Sequence, residues 1–320
     1  MRQKDIGKVT NARDAGVLLF CTGLLLLTGC ATGPPLPSTS DMRVTESAYI
    51  DSVPFHPQSD YQCGPAALAM ALNASNVDVS VDDLIPQVFL PEREGSVQLE
   101  MQAVVRRYNR ISYVLDGSTQ SLIQELDAGN PVIVMQNLAL SFWPIWHYAV
   151  VIGYDLHQSR ITLHSGKEAD RPMRFRRFDA TWARSDRWAM VVLPPGKLPA
   201  STNPGNAIEA IVAFERANNA YDALPAWRSV VERWPKSAMG WLALGNAKHA
   251  CGQIEKALFA FENATEQDPN LAAAWMNLGL TLKAIGQYDD ARHALRMALS
   301  LPNPWHDRIK EALELLTEEP

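Results

Sequence analysis

The sequence predicts an α+β domain over residues 49–196 followed by an all-α stack of repeats over 204–320. Three observations carry that prediction. As far as about residue 195, helix signals come first and apolar strand signals follow. From about residue 205 every signal is helical, and the chain matches itself at an offset of 34 residues. Between the two lies PGKLPASTNPGN at 195–206, whose three Pro and two Gly read as a protease-sensitive boundary.

In the first part a short helical run follows Cys63. Residues 97–109, VQLEMQAVVRRYN, space their apolar side chains as a helix does. ISYVL at 111–115 reads as a strand, and TQSLIQELDAG at 119–129 as a helix closed by Gly129. PVIVMQNL at 131–138, HYAVVIGYD at 147–155, RITLHSG at 160–166 and RWAMVVL at 187–193 read as strands of a mostly antiparallel sheet.

In the second part, units start at Trp241 and Trp275. Leu244 and Gly245 map on Leu278 and Gly279, Ala257 on Ala291, Phe261 on Leu295, and Ala264 on Ala298. These offsets resemble the tetratricopeptide repeat. Gly and Ala let two antiparallel helices approach, and the large residues fill the next groove. A weaker copy at 204–237 keeps Ala223, Trp227 and Pro235 but has Ala210-Ile211 in place of Leu-Gly. The units then run 204–237, 238–271 and 272–304, and WHDRIKEALELL from Trp305 reads as a capping helix. A fragment from about 205 to 320 is expected to be soluble and helical on its own.

At 320 residues the chain can bury two cores. Its 47% hydrophobic and 20% charged content is that of a soluble globular protein. The net charge of −6 argues against nucleic-acid binding.

The N-terminus has the grammar of an export signal over residues 1–29. Arg2, Lys4, Lys8 and Arg13 precede an apolar run, AGVLLFCTGLLLL, at 15–27. That run is shorter than the roughly 20 residues a membrane span needs. LTGC, ending at Cys30, resembles the lipobox of bacterial lipoproteins. The resemblance implies cleavage before Cys30 and acylation of its thiol and amine, giving firm membrane attachment. An uncleaved anchor or an ordinary signal with an incidental Cys are the alternatives. Ala31 in place of Asp implies the outer membrane, facing the periplasm. Cleavage removes four basic and two acidic residues and leaves a net charge of about −8. Residues 30–48, rich in Pro, Ser and Thr as far as Thr45, read as a lipid-attached linker.

Four Cys are present. Cys21 leaves with the signal and Cys30 goes to lipid, which leaves Cys63 and Cys251 in an oxidising compartment. They could pair, although Cys251 lies in the repeats. No Cys-x-x-Cys or Cys/His cluster suggests a metal, and no cofactor is expected.

Gly64-Pro65 after Cys63 suits a helix start, since Pro is tolerated in the first turn. A thiol there faces free N–H groups and the positive end of the helix, which predicts a lowered pKa. His147 opens an apolar strand and can anchor beside a cleft. Alone, such a His is more often structural; with a helix-start Cys it makes a nucleophile–base pair.

VPFHPQSDYQCGPAALAMALN at 53–73 together with HYAVVIGYD resembles the peptidase C39-like group of the papain-like superfamily. Lipoprotein signal, C39-like domain and tetratricopeptide repeats together resemble a set of Gram-negative cysteine-peptidase lipoproteins. The resemblance implies Cys63 as nucleophile, His147 as base, and Gln58 as oxyanion donor with the Cys63 N–H as the second. Four residues separate Gln58 from Cys63 where relatives often have five; Gln62 is the alternative but is adjacent to the thiol. Relatives carry Asp or Asn on the next strand to orient the His. Here His164 and Ser165 fill that slot, Asp155 reads as a turn residue and Asp170 falls in the following loop.

The function expected is therefore a periplasm-facing lipoprotein peptidase, whose repeats recruit a protein or peptide partner in their groove. Two alternatives stand beside it. One is an acyl-transferring thiol enzyme. The other is a degenerate peptidase domain serving as scaffold for an envelope complex.

Overall fold

The computed structural model describes residues 43–58, 62–90 and 95–317; the signal, Cys30 and most of the tether lie outside these. A seven-stranded sheet carries helices before and between its strands, and seven further helices follow it.

The sheet domain runs β1 (Ser47–Tyr49), α1 (Cys63–Ala74), α2 (Val81–Val88), α3 (Gln98–Arg107), β2 (Ile111–Val114), α4 (Thr119–Asp127) and β3 (Val132–Asn137). It continues with β4 (Trp146–Asp155), β5 (Arg160–Ser165), β6 (Glu168–Arg174), α5 (Phe175–Trp182) and β7 (Ala189–Leu193). The strand order is β2-β7-β3-β4-β5-β6, and every pairing is antiparallel. β4 is the central and longest strand. β3 pairs with it from Trp146 to Val151, and β1 pairs with it from Gly153 to Asp155.

The helices start where side chains can satisfy their free N–H groups. Ser80 and Asp83 form a reciprocal capping box on α2. Ser118 caps α4. α1 is different. From Gly64 to Leu72 it is buried on every side, which explains its run of Ala, Leu and Met with no polar face.

Three elements have weak sequence signals. β6 reads EADRPMR; its charges and Pro172 suit an exposed sheet edge and carry no apolar alternation. β1 is three residues long, and α5 begins directly where β6 ends.

The repeats are α6 (Pro204–Ala217) with α7 (Ala220–Arg233), α8 (Ala238–Ala250) with α9 (Ile254–Gln267), and α10 (Ala272–Ala284) with α11 (Tyr288–Ser300). The last helix is α12 (His306–Thr317). The glycines at the repeat's fixed position are required by packing. A Cβ on Gly245 would run into the Phe261 ring, and one on Gly279 into the Leu295 side chain. The indole of Trp241 donates to the Pro235 carbonyl at 2.8 Å, and that of Trp275 to Pro269 at 2.9 Å. The 34-residue offset is thus a repeated hydrogen bond as well as a repeated contact.

β7 stops at Leu193 and α6 starts at Pro204. The connection between them is fastened, in contrast to the open segment its Pro and Gly suggest. Buried Glu125 of α4 accepts from the Ser201 N–H at 2.7 Å, its hydroxyl at 2.6 Å and the Asn130 amide at 2.7 Å. Arg233 of α7 donates to the Pro199 and Ala200 carbonyls, and Ser229 to that of Gly196. Ile211, Phe214 and Trp227 of the first repeat belong to the same core as the sheet. Trypsin should therefore cut slowly at exposed Lys197. Glu125→Ala strands the partners of the carboxylate, at about 1–3 kcal/mol for a buried group left unsatisfied. It should lower the urea midpoint and speed that cut; equal cutting of both proteins would show that the bonds do not hold the segment.

Candidate active site

Cys63 is the first residue of α1, and Pro65 stands in the first turn, where the absence of its N–H costs no helix bond. Gly64 lets the α3 entry close over the helix start, since Ser96 occupies the space where its Cβ would be. The thiol is half-buried beside β4, where the Tyr148 backbone N–H reaches it along with those of Gly64 and Cys63 itself. The sheet thus brings the thiol to the residue next to His147.

His147 is half-buried on β4, opposite Gln136 of β3. Its Nε2 lies 2.9 Å from Ser165 Oγ, the last residue of β5. Ser165 therefore fills the orienting position on the neighbouring strand. The nearby carboxylates point elsewhere. Asp155 accepts the Gln158 N–H at 2.8 Å as a turn residue. Asp170 accepts from the Tyr49 hydroxyl at 2.7 Å, and its own N–H goes to His164 Nδ1 at 3.1 Å. His164 also meets the Val53 carbonyl and the Phe55 ring, so it serves packing.

Gln58 is buried and acts as a splice in the sheet. Past the pair Val150↔His164 the next direct partners would be Tyr148 and Gly166. The Gln58 amide stands between them, accepting from the Gly166 N–H at 3.1 Å and donating to the Tyr148 carbonyl at 3.4 Å. Its backbone N–H donates to the Gly166 carbonyl at 3.0 Å. Cys63 and Gln58 thus meet the main chain of the same residue, and the amide keeps a second N–H. Gln62 is the N-cap of α1 and makes no side-chain cap bond.

The electrostatics differ from the sequence expectation. Burial pushes the Cys63 thiol up, and the three backbone N–H groups oppose that shift without reversing it. The lowered thiol pKa expected from the helix start is corrected accordingly, because the helix end that supplies the donors also excludes water. His147 is pushed down to about 4, first by burial and then by the Arg171 charge on β6. Among the charged groups of the described residues, Arg171 is the one that acts on this imidazole, and its guanidinium disfavours the imidazolium. No hydrogen bond joins Cys63 to His147, so at neutral pH the pair rests as thiol and neutral imidazole.

Several contributors carried no sequence signal, because they converge from distant segments. Ser96 Oγ and one Glu100 carboxylate oxygen are buried near Tyr148 without hydrogen-bond partners. Trp188 meets the Tyr148 ring edge-on at 5.8 Å. The β3–β4 turn exposes an apolar patch beside His147, with Phe142 at 82% and Trp143 at 75% exposure. Asn137 Oδ1 holds that turn by accepting from the Ala139 and Ile145 N–H groups. Cys63 and Cys251 are both free thiols. Among the described residues, no group of three or more His, Cys, Asp and Glu gathers as a metal site would, and no helix is long and apolar enough to cross a membrane.

Comparison with known proteins agrees with this architecture. The profile described as Peptidase_C39 like family matches residues 50–190. TPR repeat and Tetratricopeptide repeat profiles match 245–286 and 272–303. No curated protein sequence matches the chain. Similar solved structures include MamA, 22% identical over 36% of this chain and 67% of that one, with a TM-score of 0.34. The TPR2B domain of yeast Sti1 in its pHsp70 complex is 18% identical over 37% of this chain and 98% of that one, TM-score 0.34. The type III secretion translocator chaperone SycD of Yersinia enterocolitica is 17% identical over 36% and 83%, TM-score 0.34. The chain carries a Peptidase_C39-like domain over residues 50–190 followed by tetratricopeptide repeats.

Proposed function

We propose that this protein is a thiol peptidase held by lipid on Cys30 at the periplasmic face of an outer membrane. The observation that carries the reading is the Cys63 thiol lying under the Tyr148 N–H, one residue from a His147 that a neighbouring strand orients through Ser165. With Nε2–H donating to Ser165 Oγ, Nδ1 is the unprotonated base. Cys63 Sγ attacks a peptide carbonyl as its proton passes to His147. The oxyanion that forms takes hydrogen bonds from the Cys63 N–H and the second N–H of Gln58. The amine leaves with the proton from His147, and water then hydrolyses the thioester. An amine in place of water would make the same site an acyl transferase.

The repeats recruit a protein or peptide partner. Stacked helix pairs present a concave surface suited to extended chains. An Asn277–Asn246 side-chain hydrogen bond of 2.7 Å joins α10 to α8 at an exposed position.

The shifted His147 and raised Cys63 favour a second reading, a peptidase-shaped scaffold for an envelope complex, because a base titrating near 4 accepts a proton poorly at neutral pH. One experiment separates the two. A pool of envelope-derived peptides is incubated with the parent and with Cys63→Ala, and new termini are read by mass spectrometry. Termini made only by the parent support the peptidase; identical patterns favour the scaffold. For the anchor, Cys30→Ser should abolish incorporation of labelled fatty acid and release the protein from membranes. Unchanged membrane association would end the lipoprotein reading.

A further inference from the structure

A cavity of about 290 Å³ opens beside Trp146, the residue that precedes His147 in β4. Its walls are Trp146, Trp188, Met135 and Gln98, and Asp116 and Asp186 line it at exposed positions. Two links tie it to the reacting groups. Trp146 directly precedes His147 in β4, and Trp188 packs edge-on against Tyr148, whose N–H reaches the thiol.

The charge in this cavity is one-sided. Arg187 also lines it, but its guanidinium is bound to Asp179 at 2.9 and 3.2 Å, which compensates that charge. Asp116 accepts from the Ser118 N–H at 2.9 Å. Burial pushes its carboxyl up, yet the hydrogen bonds from Ser121 and Ser118 outweigh this and hold it below the ordinary carboxylate range. Asp116 is thus ionised at neutral pH, and it shares the cavity lining with Asp186, two indoles and a thioether.

We propose that this cavity is a specificity subsite for a basic side chain, Lys or Arg, a residue or two from the attacked carbonyl. The proposal deepens the peptidase reading and rests on it. An aliphatic stem lies against Trp146, Trp188 and Met135, and the cationic head reaches Asp116 and Asp186. Each part of such a side chain meets its complement, and an indole face adds attraction for the cation. A neutral side chain of equal length gains only the walls, and an acidic one is repelled.

The test reads binding apart from chemistry. Calorimetry on Cys63→Ala compares pentapeptides of Ala with Lys, norleucine or Glu at the centre. The Lys peptide should bind at least about fivefold tighter than norleucine, with Glu weakest, since a desolvated cation beside an indole and a carboxylate is worth about 1–2 kcal/mol. Asp116→Asn with Asp186→Asn, both at exposed positions, should erase the preference. Equal affinities, or a preference for norleucine, overturn the subsite. A second arm labels Cys63 in the parent with chloromethyl ketones of acetyl-Lys and acetyl-norleucine, in which Sγ displaces chloride. Lys-selective binding with no labelling at any pH would leave the subsite standing and sink the peptidase. Labelling and binding both indifferent to side-chain charge would do the reverse.

Discussion

Iodoacetamide should alkylate Cys63 slowly at neutral pH and progressively faster as pH rises through the ordinary thiol range. The thiolate is the reacting species, and burial holds the Cys63 thiol in its protonated form. Below its pKa the thiolate fraction changes tenfold per pH unit, so the rate should climb about a hundredfold from pH 7 to pH 9. A papain-like ion pair would behave differently, reaching a plateau well below neutrality. With no hydrogen bond between the two side chains, His147→Ala should leave the profile nearly unchanged. Turnover, if the peptidase reading holds, should instead fall by orders of magnitude in that variant, because the base is needed only as the thiol attacks. A flat, fast alkylation rate between pH 6 and pH 8 that collapses in His147→Ala would overturn this account. It would mean that the imidazole carries the proton at rest.

That contrast marks how far the sequence can be read. The helix start at Cys63-Gly64-Pro65 and the strand at His147 were legible because each is a local pattern: Pro in a first turn, and an apolar run opening on a polar residue. The repeats were legible for the same reason, as Gly245 and Phe261 recur at Gly279 and Leu295. The orienting slot came only from the family resemblance, which placed His164 and Ser165 in it together; the hydrogen bond to His147 is made by Ser165.

What the sequence could not show is solvent exclusion and convergence. A thiol at a helix N-terminus has two opposing influences, donors and burial, and only the tertiary packing around Cys63 decides between them. Arg171 reaches His147 from β6, a charged edge strand with no strand-like pattern. The Gln58 splice between Tyr148 and Gly166 depends on a register that no local motif encodes. The connection at 195–206 has the composition of a linker, yet Glu125, some seventy residues earlier, fastens it.

The largest stability effect expected from the site comes from His147 and appears in acid. Its folded pKa is depressed to about 4 from an ordinary value of 6.5, by burial and then by Arg171. Between those values the unfolded chain binds a proton that the folded one refuses. Stability is therefore complete above pH 6.5 and is lost as pH falls toward 4. At 1.36 kcal/mol per pKa unit the loss by pH 4.5 is on the order of 2–3 kcal/mol. Urea unfolding at pH 7 and pH 4.5 measures it directly. His147→Gln keeps a polar side chain of similar reach toward Ser165 but cannot titrate, so its acid loss should be smaller by that amount. Asp116 and Asp127, whose pKa values are lowered, release their contributions below the ordinary carboxylate range and leave this window to the imidazole. Equal acid loss in parent and variant would mean that His147 takes up its proton without penalty. The neutral thiol–imidazole pair would then not be the resting state of the site.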